Sequence, residues 1–357
     1  MLDQRGHVTC CHCGAGSGTG ELFARRRLLK AAVLAPQDRR GQAVGADQAG
    51  TDRAGADRAV ADRAGPGPGA AGPPGVLTGT VVDASPHVLT ICRADHEERL
   101  ALMPATSAWK GGPADPTALG AGDRVVVRLH PSRPGVADRI WANIGRVTGV
   151  IVERGSEGIV VDAGKTRGRQ VIVIPGRAEG RLLVRFPHLE PGYLIDIIGL
   201  RRAGVVEGLI PATSQPAYRA DQLPRPTYAG SRTLGRLGGC ASWHEPVGQP
   251  DDVEGIAYPM LDPDMGCAEQ PSPYPGCVRM PYLSVGSLLD VRNECTGDSR
   301  LLPVICCGAA ARLFCDRCVT CGMSPRGRVA DLALASFVTL GGELERGCFN
   351  ATITMGR

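Results

Sequence analysis

From Val76 to Ile210 the chain is a succession of short apolar stretches punctuated by turn residues. Val76-Leu77-Thr78-Gly79-Thr80-Val81-Val82, Gly122-Asp123-Arg124-Val125-Val126-Val127 and Gly192-Tyr193-Leu194-Ile195-Asp196-Ile197 are of strand length and rich in β-branched residues. The pattern also repeats. Val76–Val82 matches Arg146–Val152 seventy positions later, Gly122–Val127 matches Gly192–Ile197 at the same offset, and Ile140 and Ile210 keep it. Each copy reads as a hairpin, a loop and two further strands, which predicts two small OB-like β-barrels in tandem, 76–145 and 146–212. Barrels of this size bind many ligands or none. Each copy holds few aromatics (Trp109 and Trp141; Phe186 and Tyr193), so no stacking platform is visible, and the pair reads as a spacer or adaptor.

The flanks differ. Residues 1–75 contain a pentad repeat, Ala46-Asp47-Gln48-Ala49-Gly50 followed by Thr51–Gly55, Ala56–Val60 and Ala61–Gly65, and then a Pro/Gly stretch. Almost no large apolar side chain is available there to offset the entropy of ordering, so a disordered leader and linker are expected. Cys10-Cys11-His12-Cys13 is a metal-capable cluster within that leader. Residues 213–238, with Pro216, Pro224 and Pro226, read as a second linker. From 239 to 357 short alternating strands return. One helix is expected from Asp331, as N-cap, to about Leu340, with Leu334, Phe337, Val338 and Leu340 as its apolar stripe and Gly341 as its C-terminal stop.

Composition narrows the function classes. The 49 Gly and 28 Pro in 357 residues argue against a mostly helical protein, and with only 4% aromatics the cores must rest on Val, Leu, Ile and Ala. No apolar run approaches the roughly 18–20 residues of a membrane span. The net charge of +4 is unevenly spread: from Cys240 onward nine Arg and no Lys face fourteen acids, about −5, leaving about +9 on the rest. An acidic C-terminal domain suits phosphate backbones poorly. Basic residues elsewhere are scattered without interleaved aromatics, so nucleic acid is not expected as a partner.

Ten of the fourteen cysteines lie in the last third: Cys240, Cys267, Cys277, Cys295, Cys306, Cys307, Cys315, Cys318, Cys321 and Cys348. This density predicts a disulfide framework in an oxidising compartment, with connectivity open. A metal site is the rival reading, since Cys315-x-x-Cys318-x-x-Cys321 has iron–sulfur-like spacing. It lacks the fourth ligand, and His244 is the domain's single His. No metal or cofactor is expected.

Four motifs in order carry a resemblance. Gly239-Cys240-Ala241-Ser242-Trp243, Pro281-Tyr282-Leu283-Ser284-Val285-Gly286-Ser287 with Leu289-Asp290-Val291-Arg292-Asn293, Gly327-Arg328-Val329-Ala330-Asp331-Leu332-Ala333, and Leu340-Gly341 resemble the RlpA-like double-psi β-barrels. The cysteine content is closer to their expansin and barwin-like relatives. The resemblance covers residues 239–357 and implies a disulfide-rich six-stranded double-psi barrel, so the chain as a whole is expected to be mainly β. Ala24-Arg25-Arg26-Arg27-Leu28-Leu29-Lys30 in turn resembles a twin-arginine export signal, although the apolar stretch after it, Ala31–Ala35, is shorter than the roughly 7–15 residues usual there.

The family resemblance implies a secreted or cell-envelope protein whose partner is a cell-wall, peptidoglycan-like glycan. Its relatives include lytic transglycosylases, which need one carboxylic acid to protonate the glycosidic oxygen, whereas hydrolysis usually needs two. Asp331 matches one family aspartate and is the candidate general acid. Where the family has a second, this chain reads Val304-Ile305-Cys306-Cys307-Gly308-Ala309, without an acid. Asp316, Glu294 and Glu245 are possible substitutes. Trp243, His244, Tyr282 and Glu294 are the candidate glycan contacts, with Tyr258 and Tyr274 as further platform candidates. Glycan binding with weak or absent catalysis is the first expectation. An active transglycosylase or glycoside hydrolase using Asp331, and a purely structural envelope module, are the alternatives.

Overall fold

A computed structural model describes residues 75–94, 96–222, 235–245, 252–261, 280–316 and 326–355. The expected disordered leader, its arginine run and cysteine cluster, most of the second linker, and Cys267, Tyr274, Cys277, Cys318 and Cys321 lie outside the described residues. The described chain is mainly β, and none of its helices is long and apolar enough to cross a membrane.

Three closed strand circuits follow one another. The first contains β1 (Val76–Ala84), β2 (Val88–Arg93), β3 (His96–Trp109), the two-residue β4 (Pro113–Ala114), β5 (Arg124–Leu129) and β6 (Val136–Ala142). β1, β2 and β3 form an antiparallel meander, β3 pairs β6 in parallel, β6 pairs β5, and β5 returns to β1. The second contains β7 (Ile144–Gly155), β8 (Gly158–Asp162), β9 (Arg169–Val173), α1 (Gly176–Arg185), β10 (Leu194–Arg202) and β11 (Val205–Pro211). It repeats the circuit as β7–β8–β9–β11–β10–β7, again with one parallel pair, β9–β11.

The seventy-residue offset survives at the level of single hydrogen bonds. Gly122 N–H donates to Val81 O at 2.9 Å and Val81 N–H to Asp123 O at 2.8 Å; Gly192 N–H donates to Ile151 O at 2.8 Å and Ile151 N–H to Tyr193 O at 2.9 Å. The bulge between Val81 and Asp83 recurs between Ile151 and Glu153. A bulge increases local twist, which a five-strand ring needs in order to close. The glycines follow the same rule: a Cβ on Gly79 would lie 2.6 Å from Cys92 O, and one on Gly149 would lie 2.0 Å from Asp162 O. Because the obstacle is backbone, no rotamer relieves it. Gly149→Ala is therefore expected to cost about 2–3 kcal/mol in urea unfolding. Gly180→Ala, on the open face of α1 with nothing near its Cβ, should stabilise by about 0.5–1 kcal/mol.

Helix α1 was not anticipated. Gly176 and Gly180 in ten residues conceal it, but Ala178 and Leu182 pack inward while Glu179 in the first turn and Arg185 in the last complement its dipole.

The third circuit contains β12 (Arg236–His244), β13 (Ile256–Tyr258), β14 (Leu288–Asn293), β15 (Ser299–Cys307), β16 (Cys315–Asp316), β17 (Arg326–Ala333), α2 (Leu334–Thr339) and β18 (Cys348–Met355). Six strands close as β12–β18–β14–β15–β13–β17–β12, with β12–β17 and β13–β15 parallel and β16 added to β17. The expected helix is shorter than its stripe suggested. Asp331 lies inside β17, and Ala333 is the N-cap. The reason is that Val329–Ala333 is buried throughout and is paired by β12 on one side and β13 on the other, so the ladder claims those residues before the helix can start.

One apolar cluster runs from the second ring into the third, through Val147, Ile197, Leu200, Ala241, Trp243 and Leu344, whereas the first ring keeps most of its core to itself around Leu89, Ile91, Val127 and Ile140. The first ring docks through Trp109, Val126 and Trp141, which join that shared cluster, and through polar contacts: Arg128 and Arg139 flank Trp141 and pair with Glu343 and Glu345, and Trp141 Nε1 donates to Glu345 Oε2 at 2.6 Å.

The ten-cysteine framework needs correction. Cys240, Cys306 and Cys348 are free thiols and stand outside any such framework. The strand register explains the first pair. Cys240 faces Asn350 and Cys348 faces Ser242 across β12–β18, so the two cysteines are diagonal neighbours. Diagonal Cα atoms stand about 7–8 Å apart, beyond the roughly 4.4–6.8 Å a disulfide spans. Cys240 Sγ donates to Asn350 Oδ1 at 3.4 Å and lies in hydrogen-bond contact with the Cys348 thiol without a bond between them. Burial raises the Cys306 thiol to about 11, so this half-buried side chain is a protonated, weakly nucleophilic thiol at neutral pH. Cys295, Cys307 and Cys315, by contrast, are disulfide-bonded, as expected of them.

Candidate functional site

Asp331 projects from the buried middle of β17. Parallel pairing with β12 sets Ser242 opposite it, and Ser242 Oγ donates to Asp331 Oδ1 at 2.9 Å. The other carboxylate oxygen is met from a different ring. The β8–β9 turn is closed by Gly168 N–H donating to Gly164 O at 2.7 Å, with both glycines at positive φ. This tight turn carries Arg167 across to the third ring, where its Nη2 donates to Asp331 Oδ2 at 2.5 Å.

The electrostatics follow from this geometry. Burial alone would favour the protonated acid. The Arg167 guanidinium, with His244 and Arg146 nearby, outweighs it and holds Asp331 well below the usual carboxylate range. His244 shifts the same way for the opposite chemical reason: burial first, then Arg167, lowers it to about 3, so the imidazole is neutral. Its Nδ1 lies 3.8 Å from Asp331 Oδ2, beyond hydrogen-bond distance, and both ring nitrogens are sealed from solvent.

Beside this pair a cleft of about 200 Å³ opens between the second and third rings. Arg146, Arg167, Gln170 and Arg201 line it from the second ring, Trp243, His244 and Glu245 from the third, and Arg124 of the first ring reaches its edge. Arg201 holds Glu245 through two guanidinium nitrogens at one rim. Beneath the floor runs a buried ion network. Arg146 grips Asp196 through Nε (2.9 Å) and Nη2 (2.7 Å) and donates through Nη1 to Gly347 O at 2.6 Å. Arg328 bridges Asp196 and Asp316, with its guanidinium over Phe314, and Thr213 Oγ1 donates to Asp316 Oδ1 at 2.6 Å. Burial again favours a neutral acid at Asp196, and the two guanidiniums overcome it, lowering the carboxyl to about 2.

The structure brings together only some of the residues expected from sequence. Asp331, His244 and Trp243 share one locality. A general acid must reach its reaction carrying a proton, and Asp331 is ionised and capped, so its assignment as general acid is corrected. Trp243 is fully buried, with Nε1 donating to Leu344 O at 2.8 Å and Arg146 over its ring; it is a core plug and not a sugar platform. Tyr258 is likewise buried, donating to Pro281 O at 3.1 Å. Tyr282 is 53% exposed and does not line the cleft. Glu294 also lies outside it, engaged by Arg326 at 2.8 Å and Thr352 at 2.7 Å. Of the substitute acids, Glu245 lines the cleft, whereas Asp316 is fully buried in the network.

Sequence reasoning missed the second ring's share of the site. A signal existed: at the seventy-residue offset Val76 and Val126 of the first copy become Arg146 and Asp196. Two apolar positions that turn together into opposite charges inside apolar strands announce a buried pair. Among the described residues no group of three His, Cys, Asp or Glu is placed to hold a metal ion.

No family model and no curated protein matches the chain. Among solved structures it is similar to a multidomain protein with nucleic acid binding domains from Streptococcus pneumoniae, at 15% identity over 64% of this chain and 72% of that one, with a TM-score of 0.13. So low a score establishes no shared fold. The expectation on partners, cell-wall glycan with nucleic acid ruled out, is corrected on this finding: the exclusion of nucleic acid is withdrawn, and nucleic acid joins the ligands to be assayed.

Proposed function

We propose that this chain is an exported envelope protein that binds cell-wall glycan without cleaving it. In this reading the third ring is a double-psi barrel of RlpA/expansin type, and the first two rings are OB-like barrels. Their strand circuits, with a parallel pair between the third and last long strands, support the latter. The six-strand circuit with its two parallel pairs supports the former. The observation that carries the non-catalytic reading is the Arg167–Asp331 pair. The one acid that the family motif supplies is deprotonated and sealed by a side chain of the preceding ring. It is thereby suited to orienting neighbouring donors and unsuited to protonating a leaving group.

The test incubates the purified full chain with insoluble peptidoglycan, with a short oligothymidylate as a second arm. The expected result is co-sedimentation with peptidoglycan and no soluble anhydro-muropeptides. Release of such products, lost in Asp331→Asn, would overturn the non-catalytic reading. Retention of the oligonucleotide in place of peptidoglycan would overturn the glycan reading.

A further inference from the structure

We infer that the outer face of the first ring is a binding site for a free α-amino acid, a ligand with an ammonium and a carboxylate on one carbon. The site lies on a different ring from Asp331 and stands apart from the glycan reading.

Strand register builds the site. β1 sets Asp83 opposite Thr90, and β3 sets Arg99 opposite Thr90 on its other side. Acid, hydroxyl and guanidinium thus form one row across three strands. The row points away from the core, because the alternating Leu89, Ile91 and Leu100 fill the inside. A cavity of about 450 Å³ lies over it, with Ser85, Val88 and Ala101 among the other walls. That volume falls within the roughly 300–1,000 Å³ usual for small-molecule sites. Thr90 is only 7% exposed. Even so, its hydroxyl has no hydrogen-bond partner among the described residues and is not one of the polar atoms cut off from solvent. Polar side chains set so deep are nearly always satisfied; this one is left open to whatever enters the cavity.

The two charges limit the ligand. Asp83 and Arg99 carry no ion pair among the described residues, whereas Arg93, Lys110 and Arg128 of the same ring pair with Glu98, Asp123 and Asp138. Two strand spacings, roughly 10 Å between backbones, hold them apart. A bare anion on Arg99 would meet the Asp83 carboxylate, and a bare cation on Asp83 would meet the guanidinium. A molecule with both charges answers each through a charge-assisted hydrogen bond, and the Thr90 hydroxyl between them can donate to its carboxylate. Val88 and Ala101, the next pair along β2 and β3, give an apolar wall for a small side chain. The duplication supplies a control. In the second ring the same row reads Glu153, Val160 and Val171, so the acid stays while the hydroxyl and the guanidinium are gone.

The test uses the full chain and L-alanine, with L-alaninamide, N-acetyl-L-alanine and a short oligothymidylate as comparison ligands, read by calorimetry and by backbone-amide NMR shifts. L-alanine should bind once per chain, move the Thr90 and Arg99 amides, and bind about tenfold tighter than either blocked form, as one charge-assisted hydrogen bond provides. Asp83→Asn and Arg99→Gln should each weaken it about tenfold for the same reason. Thr90→Val with Arg99→Val writes the second ring's row into the first. It should abolish binding with the fold intact, since valines already occupy those places in the sister copy. No binding, equal binding of a blocked form, shifts confined to other residues, indifference to these variants, or displacement by the oligothymidylate overturns the assignment. The peptidoglycan experiment reads a separate ligand, so neither result decides the other.

Discussion

Replacing Arg328 with methionine is expected to destabilise the protein by about 3–5 kcal/mol, the usual loss when one partner of a buried ion pair is removed. Arg328 is fully buried and is shared by Asp196 of the second ring and Asp316 of the third. Without it, Asp196 retains Arg146 and Thr148, but Asp316 is left with Thr213 and the Ser214 amide as its remaining hydrogen-bond donors, and no opposite charge. Most of the loss therefore belongs to Asp316, and Asp316→Leu added to Arg328→Met should recover about 1–3 kcal/mol, the coupling expected of direct partners. Urea unfolding of the two variants measures both numbers. A loss under about 1 kcal/mol for Arg328→Met would mean that the network is not a principal fastening between the rings.

Acid is the second large lever, and His244 sets where it acts. In the fold the imidazole stays neutral down to about pH 3, whereas the unfolded chain takes up that proton near the ordinary value of 6.5. Between those limits the unfolded state binds more protons, so stability falls as pH falls, by about 1.4 kcal/mol per unit and about 5 kcal/mol across the window. Asp196 and Asp331 have depressed folded values. Their contribution is complete above the ordinary Asp range near 4 and is lost only as pH falls through it, so they steepen the lower end. Thermal melts from pH 7 to 4 should show the decline in the parent chain and a nearly flat profile in His244→Gln. An equal decline in both would assign the acid sensitivity elsewhere.

Strands of the first two rings were legible because they are β-branched runs bounded by turn residues, and the duplication let the matching ones be read twice. In the third ring, Ser242, His244 and Asp331, taken from two of the sequence motifs, do converge. What sequence concealed was lateral. Arg167 sits in a Gly-rich turn with no pattern of its own, and nothing local to it indicates that it ends beside Asp331, 164 positions away. Cys240 and Cys348 misled because cysteine density speaks of compartment and not of register, and a diagonal placement on β12 and β18 decides the matter. Trp243 misled because an aromatic beside a candidate sugar site looks the same in sequence whether it faces the ligand or the core. The Asp331 N-cap reading failed because tertiary pairing of β17 outweighed a local capping preference.

The exchange of Val76 and Val126 for Arg146 and Asp196 has a consequence for how the twin copies can be used. A first copy transplanted into the second position would bring aliphatic side chains to the very points where Arg328 needs a counter-ion and the Gly347 carbonyl a donor. The sister modules have thus become non-exchangeable: one keeps an uncharged seam, the other is a socket cut to a single plug, and shuffling them would orphan the plug.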